Sequence, residues 1–342
     1  MKILITTQII DKTDPTFSFM HGWVAALAPH FEVITVVCLK EGEHALPQNV
    51  RVYSLGKEVG TSRAVRVWRL FRSVWKFRRE YDAVFVHQNE EYVLLCSWLW
   101  KRLGKRVYMW RNHYSGSRRT DWAAGWCDKI FCTSKFSYTA KFPKTVLMPV
   151  GVDTDLFRPI PDVSRDPRAV LFFARVSPSK RPDMLVAALE LLKKRGVAFT
   201  AHFYGEALPK DAEYGESLKE KVTTLGLEKQ IMFLPGVPHT EAPRIFSSHG
   251  VFVNLSASGM YDKTIFEAAA SECLVLASSG DWAELVDERF VFTEAKDLEA
   301  KLEALLELSF IDRQAAGTQL RNIAKTQDLA TLAECLAQEM SV

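Results

Sequence analysis

Between residues 256 and 277, SASGMYDKTIFEAAASECLVLA, a glycine-containing loop runs into a helix start that carries Asp262, Lys263, Thr264 and Glu267. Asp262 is a good N-cap. Behind it the backbone N–H groups of Lys263, Thr264 and Ile265 have no intrahelical acceptor, and the positive end of the helix dipole adds to them. Lys263 and Glu267 stand one turn apart and share a face. A cation for phosphate and a carboxylate for hydroxyls suit a nucleotide joined to something polar, such as a sugar. A second segment, FFARVSPSKRPDMLVAALELL, ends a strand at Arg175, opens a helix with Ser177 and Pro178, and places Lys180 in its first turn. A cation there opposes the helix dipole, so Lys180 calls for an anion. Either segment alone also fits a capped helix or a solvated turn; the two together favour a shared diphosphate.

The elements that must position these groups follow from the hydrophobic pattern. Short apolar runs alternate with amphipathic segments twice over, which predicts α/β architecture with two parallel sheets and crossover helices. In the first half, strands are expected at KILITT, EVITVVCL, VRVYSL, DAVFVH, RVYMW, KIFCTS and TVLMPV. The second half gives strands at AVLFFAR, FTAHFYGE, QIMFLPG, VFVNLS, LVLASS and RFVF. A chain of 342 residues exceeds what one core serves, so two Rossmann-like domains are expected at 1–150 and 168–325. The proline-interrupted stretch 151–167 reads as their connection, and a C-terminal helix over 326–342 is expected to pack back on the first domain. Ligand would sit in the cleft between the domains, at the carboxyl ends of the strands.

Composition excludes several classes. The six cysteines have neither CxxC nor metal-ligand spacing and read as reduced thiols of a cytoplasmic protein. The start MKILITTQII fits a buried strand better than a signal peptide, and no apolar run reaches spanning length. The loop after the first strand, TTQIIDKTDPTFSFMHG, is long and acidic where a dinucleotide fingerprint would be tight and glycine-rich. Asp153, Thr154 and Asp155 look like a metal-binding DxD, but among prolines such aspartates cap turns, so no metal and no cofactor are expected. Residues 1–160 hold 24 Lys and Arg against 14 Asp and Glu, and the remainder holds 20 against 27, so charges of +10 and −7 lie behind a net +3. Much of the surplus is an amphipathic helix in which Arg63, Arg66, Arg69, Arg72 and Lys76 recur beside Trp68 and Trp75. That face suits an anionic membrane surface; no nucleic-acid-binding motif accompanies it.

Four segments of the second half, PVGVDTDLFRP, FFARVSPSKRPDMLVAAL, IMFLPGVPHTE and SASGMYDKTIFEAAASECLVLAS, resemble the donor-binding domain of the family 4 glycosyltransferases, retaining enzymes of the two-domain architecture called GT-B. DAVFVHQNEEYVLLCSWLWKRLGKRVYMWRNHYSG is similar to one bacterial branch of that family. The resemblance implies that Arg175 and Lys180 bind a donor diphosphate, assisted by Lys263 and Thr264, that Glu267 holds the ribose, and that Gly236 and Val237 lie near the nucleobase. It places Ser258 and Gly259 at the donor sugar. The glutamate that many members carry eight residues before Glu267 is here Gly259, so Asp262 is the candidate to take over part of its role. Ala174 stands where a glycine usually precedes the arginine. His113 matches the histidine beside the anomeric carbon, and His87 and Phe19 are assigned to the acceptor side.

These implications describe a metal-independent hexosyltransferase that moves a sugar from a nucleotide-sugar donor to a glycan or lipid-linked acceptor, with anomeric retention by front-face attack. Domain closure would join His113 and Arg175 and exclude water. A nucleotide-sugar epimerase of the same architecture, or a non-catalytic sugar-nucleotide-binding protein, is the alternative.

Overall fold

The computed structural model describes residues 1–14, 17–259 and 262–341, so Met260 and Tyr261 of the SGMYDK loop lie outside the described residues. The chain forms two compact units, residues 1–151 with 329–342, and residues 152–328.

In the first unit, β1 (Lys2–Ile10), β2 (Val33–Glu41), β3 (Val50–Ser54), β4 (Ala83–His87), β5 (Arg106–Trp110), β6 (Lys129–Cys132) and β7 (Thr145–Leu147) form one sheet. Its order is β3-β2-β1-β4-β5-β6-β7, with every pairing parallel. The helices are α1 (Ser18–Leu27), α2 (Arg63–Lys76), α3 (Glu90–Arg102) and α4 (Arg118–Trp126). Ser62 caps α2 by accepting from Val65 N, and Ser117 and Thr120 form a capping box at α4.

The second unit holds β8 (Asp166–Phe173), β9 (Thr200–Tyr204), β10 (Ile231–Leu234), β11 (His249–Asn254) and β12 (Leu274–Ala277). They run parallel in the order β10-β9-β8-β11-β12. Around them lie α5 (Pro182–Lys194), α6 (Ala212–Thr224), α7 (Ala242–Ser248), α8 (Lys263–Ala270), α9 (Gly280–Ala283), α10 (Ala295–Leu306) and α11 (Phe310–Lys325). The last helix, α12 (Leu329–Ser341), counts with the first unit.

Strand periodicity builds the first unit's core on two faces. Ile3, Ile5 and Phe85 look toward α1, where Trp23 and Val24 meet Leu332, Leu336 and Met340 of α12. Leu4, Val84 and Val107 look the other way, toward Leu70 and Val74 of α2 and Val93 and Trp100 of α3. The α12 seam is fixed by polar contacts as well: Tyr108 Oη donates to Met340 O at 3.0 Å and Lys129 pairs with Glu339 at 2.9 Å.

Three expectations need correction. RFVF is not a strand. Residues Glu288–Phe290 make a short 3₁₀ turn, and Val291 contributes one isolated bridge to Ala277. Its carbonyls serve side chains instead of a ladder: Phe290 O accepts from Trp282 Nε1 at 3.2 Å and Val291 O from Lys301 Nζ at 2.6 Å. The stretch 151–167 is not a free connection either, since 152–165 count with the second unit and β8 already begins at Asp166. Phe157 anchors it, fully buried against Phe246. Helices α4, α9 and α11, finally, have no counterpart in the hydrophobic pattern.

Candidate functional site

The second unit gathers its polar groups where β11 leads into α8. Asp262 caps the helix and is the centre of the arrangement. Its Oδ1 accepts from Thr264 Oγ1 at 2.8 Å. Its Oδ2 accepts from Lys180 Nζ at 2.6 Å, Ser256 Oγ at 3.0 Å and Asn254 Nδ2 at 3.2 Å. Lys180 Nζ donates to Ser256 Oγ as well, at 2.8 Å. The anion that Lys180 calls for is thus supplied by Asp262. Burial alone would raise the Asp262 carboxyl, but the Lys180 charge and the bonds from Lys180, Thr264 and Asn254 outweigh it and hold the group well below the usual carboxylate range.

Lys180 does not sit in the first turn of a helix. Residues Pro178–Lys180 form a 3₁₀ turn, Arg181 takes the left-handed conformation at φ 48°, and α5 starts only at Pro182. The reason is Arg181, which donates from Nε at 2.9 Å and Nη2 at 2.6 Å to Leu255 O, and from Nη2 to Ser278 Oγ at 2.9 Å. These bonds tie the turn to the β11 and β12 ends and carry Lys180 toward Asp262. Such a backbone conformation costs on the order of 1–3 kcal/mol and persists because charge-assisted bonds over-determine it. The sequence offered no sign of this role beyond a second cation next to Lys180.

One turn into α8, the buried Glu267 meets His239 of the loop after β10, Oε1 to Nε2 at 3.0 Å. Burial lowers the His239 imidazolium, and the Glu267 hydrogen bond and charge overcome this and raise it above its ordinary 6.5. Phe157 closes the underside, its ring 5.0 Å from His239. Lys263 is half-buried, and that burial pushes its ammonium down to about 7 against the pull of Glu267. Gly259, at φ 89°, donates its N–H to Asp281 Oδ2 at 3.2 Å, and Ser258 Oγ accepts from Gly280 N at 2.8 Å. Asp281 is buried and went unnoticed in the sequence. Gly236 and Val237 lie in the loop after β10, exposed and half-buried respectively.

Arg175 stands apart from the Lys180–Asp262 pair. It is exposed and lines a pocket of about 240 Å³ with Ser177, Ser179 and Lys210. Its loop depends on Gly205, at φ 129°, where a β-carbon would run into the Ala174 carbonyl. Gly205→Ala is expected to lower the stability of this unit by about 2 kcal/mol in urea unfolding. Gly196→Ala, also at positive φ but facing open space, loses about half as much. Equal losses would show that the close approach at Ala174 is unimportant. Asp153 caps a turn, accepting from Leu156 N at 2.9 Å, as aspartates do among prolines.

In the first unit, His113 follows β5 and lines a pocket of about 290 Å³ with Gln88, Glu90, Arg111 and Asn112. The Ser115 backbone N–H donates to His113 Nδ1 at 2.9 Å, and Ser115 Oγ and O lie 2.8 and 3.2 Å from the same nitrogen. Arg111 and Glu90 form an ion pair at 2.7 Å beside it. His87 departs from the acceptor-side assignment: at 1% exposure it is a core residue. As the last residue of β4 it accepts or donates at Thr7 Oγ1, 3.2 Å away, and packs edge-on to Trp23 and Phe19. Phe19 is half-buried in that cluster.

On α2 the cationic stripe is divided. Arg63, Arg72 and Lys76 are exposed, whereas Arg66 and Arg69 turn inward, Arg66 onto Thr61 O and Arg69 onto Leu55 O at 3.1 Å. Among the described residues no helix is long and apolar enough to cross a membrane.

Residues 153–322 match the family model for glycosyl transferases group 1. A GDP-mannose-dependent alpha-(1-6)-phosphatidylinositol monomannoside mannosyltransferase of Mycolicibacterium smegmatis is 33% identical over 114 residues, which are 31% of this chain and 28% of that protein. Mannosylfructose-phosphate synthase of Agrobacterium fabrum is 26% identical over 164 residues, 42% of this chain and 36% of that protein. The chain therefore spans about a third of the length of these curated relatives. Among solved structures, Anabaena HepE in complex with UDP superposes with a TM-score of 0.79 at 20% identity over the whole of both chains. WaaG, a glycosyltransferase of lipopolysaccharide biosynthesis, gives 0.68 at 14% over 99% of each. The fold expected from the sequence, two parallel-sheet α/β domains of the GT-B class, is the fold found.

Proposed function

Because residues 153–322 belong to the group 1 glycosyl transferases, we propose that the protein transfers a hexose from a nucleotide-sugar donor to a glycan or lipid-linked acceptor, retaining the anomeric configuration and using no metal. The observation that carries this reading is the helix start at α8, where Lys180 already holds a carboxylate oxygen, Asp262 Oδ2, at 2.6 Å. A diphosphate oxygen offers the same charge and the same acceptor geometry, so it competes for the Lys180 ammonium on equal chemical terms. Lys263 and the positive end of the α8 dipole add positive potential there. Glu267 is the acceptor for ribose hydroxyls, with His239 behind it.

In this reading the nucleotide is the leaving group, and the protein's work is to stabilise the charge that develops on its phosphate as the sugar–phosphate bond breaks. Lys180, Lys263 and Arg175 supply that stabilisation. His113, its Nδ1 engaged with Ser115, presents Nε2 to the sugar or the departing phosphate. Exposed cations on α2 favour residence at an anionic membrane face.

The Anabaena HepE structures contain UDP, UDP and glucose, and UDP-glucose, which supports uridine nucleotides as first probes. The test is thermal shift against UDP-, GDP-, ADP- and dTDP-sugars, followed by product analysis with donor alone and with acceptor extract. A rise in Tm with one of the four and product only when acceptor is present are expected. If none of the four raises Tm, the reading is wrong; conversion of donor alone to a stereoisomer would assign an epimerase instead.

Lys263 gives a second check. With its ammonium near 7 in the free protein, an arriving diphosphate raises that value, so UDP binding at about pH 8 takes up a proton. Calorimetry in Tris and in HEPES should give different enthalpies, and Lys263→Met should abolish the difference. Identical enthalpies for the wild-type protein would remove Lys263 from the diphosphate.

A further inference from the structure

We propose that the first unit binds a membrane lipid whose single hydrocarbon chain enters a pocket between α2 and α3 and whose phosphate lies at the pocket's basic mouth, next to His113. Assigning that lipid as the acceptor rests on the transferase reading above; its binding does not.

The pocket is about 620 Å³, within the range of small-molecule sites. Its floor is core, since Leu55, Leu70 and Tyr92 are each at most 5% exposed. Its walls are Leu39, Val67, Leu94 and Leu95, all half-buried. Leu39 lies near the carboxyl end of β2 and Leu55 just beyond that of β3, the edge of a parallel sheet where ligands collect. Helices α2 and α3 both pack on this face of the sheet, yet leave between them a space lined by leucines.

A purely apolar cavity would suit a neutral hydrophobe, but the lining here is not purely apolar. Lys57, Arg63, Arg66 and Arg119 also border it, against the single carboxylate of Glu91. Four cations around a greasy pocket are complementary to an amphiphile with an anionic head.

Two further observations place the head and the source. Asn89 and Glu91 line both this pocket and the smaller polar one that holds His113, so the two cavities adjoin. A chain in the first, its phosphate held by those four cations, lies beside the second. The three helices that contribute to the lining carry exposed tryptophans: Trp68 and Trp75 on α2, Trp98 on α3, and Trp122 and Trp126 on α4. Indoles with one wet edge and one apolar body settle at membrane–water boundaries, which favours a bilayer lipid over a soluble phosphate ester.

The experiment is calorimetric titration of the full chain with dodecyl phosphate below its micelle concentration. Octyl phosphate, dodecyl maltoside and inorganic phosphate are the companions. Dodecyl phosphate should bind saturably, each methylene removed toward octyl should weaken it by up to about fourfold, and inorganic phosphate should not compete. Leu94→Trp and Val67→Trp, which fill the pocket, should each weaken dodecyl phosphate at least about tenfold, the energy of roughly two buried methylenes. Arg63→Gln with Arg66→Gln should weaken dodecyl phosphate and leave dodecyl maltoside unchanged. Near-UV circular dichroism of Leu94→Trp, compared with the wild-type protein, serves as the check that the variant is folded. No saturable binding, no dependence on chain length, or full affinity in Leu94→Trp would each overturn the proposal. Dodecyl phosphate binding without any nucleotide response would leave this site standing and remove the transferase reading; a nucleotide response without dodecyl phosphate binding would do the reverse.

Discussion

Lys180→Ala is expected to lower kcat/KM by about 10²–10³, the loss that follows removal of one preorganised donor to developing charge. The same substitution leaves Asp262 with its carboxylate in a largely enclosed place and without its counter-ion, which costs about 1–3 kcal/mol of stability. The two effects are separable. Lys180→Met combined with Asp262→Asn removes the charges together, so stability should return while transfer stays lost. Acid adds a third readout. Asp262 is depressed in the folded protein, so its contribution is present above the ordinary value of 3.8 and disappears as pH falls through the lower folded value. Without Lys180 that folded value rises, and the second unit should unfold at a less acid pH than in the wild-type protein. Transfer at the wild-type rate in Lys180→Ala would end the assignment of Lys180 to the diphosphate.

Glu267→Gln should weaken donor binding by about 10- to 100-fold, the worth of hydrogen bonds to a charged acceptor. Binding of a diphosphate that carries no ribose should be unaffected, so inorganic pyrophosphate is the natural control ligand. His239 gives the variant a pH signature. Its value is raised in the folded protein, so the stability it brings is complete below 6.5 and fades as pH rises through the raised value. In Glu267→Gln the hydrogen bond remains available and the charge does not, so this slope above pH 6.5 should flatten. An unchanged slope in urea melts taken across that window would mean that the His239–Glu267 contact at 3.0 Å is not an ion pair.

Local chemistry was readable, and long-range pairing was not. Asp262 as cap and Glu267 on the same helix follow from spacing within one turn, and both stand where the pattern puts them. The partner of Lys180 lies 82 residues away, and nothing in a linear pattern indicates which distant carboxylate a buried cation will meet. The αL turn at Arg181 was hidden for a related reason: its cause is a carbonyl 74 residues on. His87 shows that a strand-end residue can face either way, and here an aromatic cluster from α1 claims it. Helix α11 escaped because its opening apolar residues, Phe310 and Ile311, are exposed, while the residues it buries are Arg313, Ala316, Gly317, Leu320 and Ala324, of which only Leu320 is large and apolar. Small residues let it approach closely, with Gly317 set against Glu272 just beyond the end of α8, and carry almost no hydropathy signal. The strands were legible because buried parallel strands are apolar on both faces.

The placement of α12 has a consequence for biogenesis. Its Leu332, Leu336 and Met340 complete the face of the first sheet that Ile3, Ile5 and Trp23 begin, and the whole of the second unit is translated between them. At ordinary elongation rates that delay is on the order of ten seconds. The second unit is contiguous and can fold as it emerges, while the first waits on the ribosome with one side of its sheet uncovered. Holdase chaperones would therefore find their client surface on the α1 side of the nascent chain, and stalls late in the message would leave a protein with a finished second unit and an unfinished first.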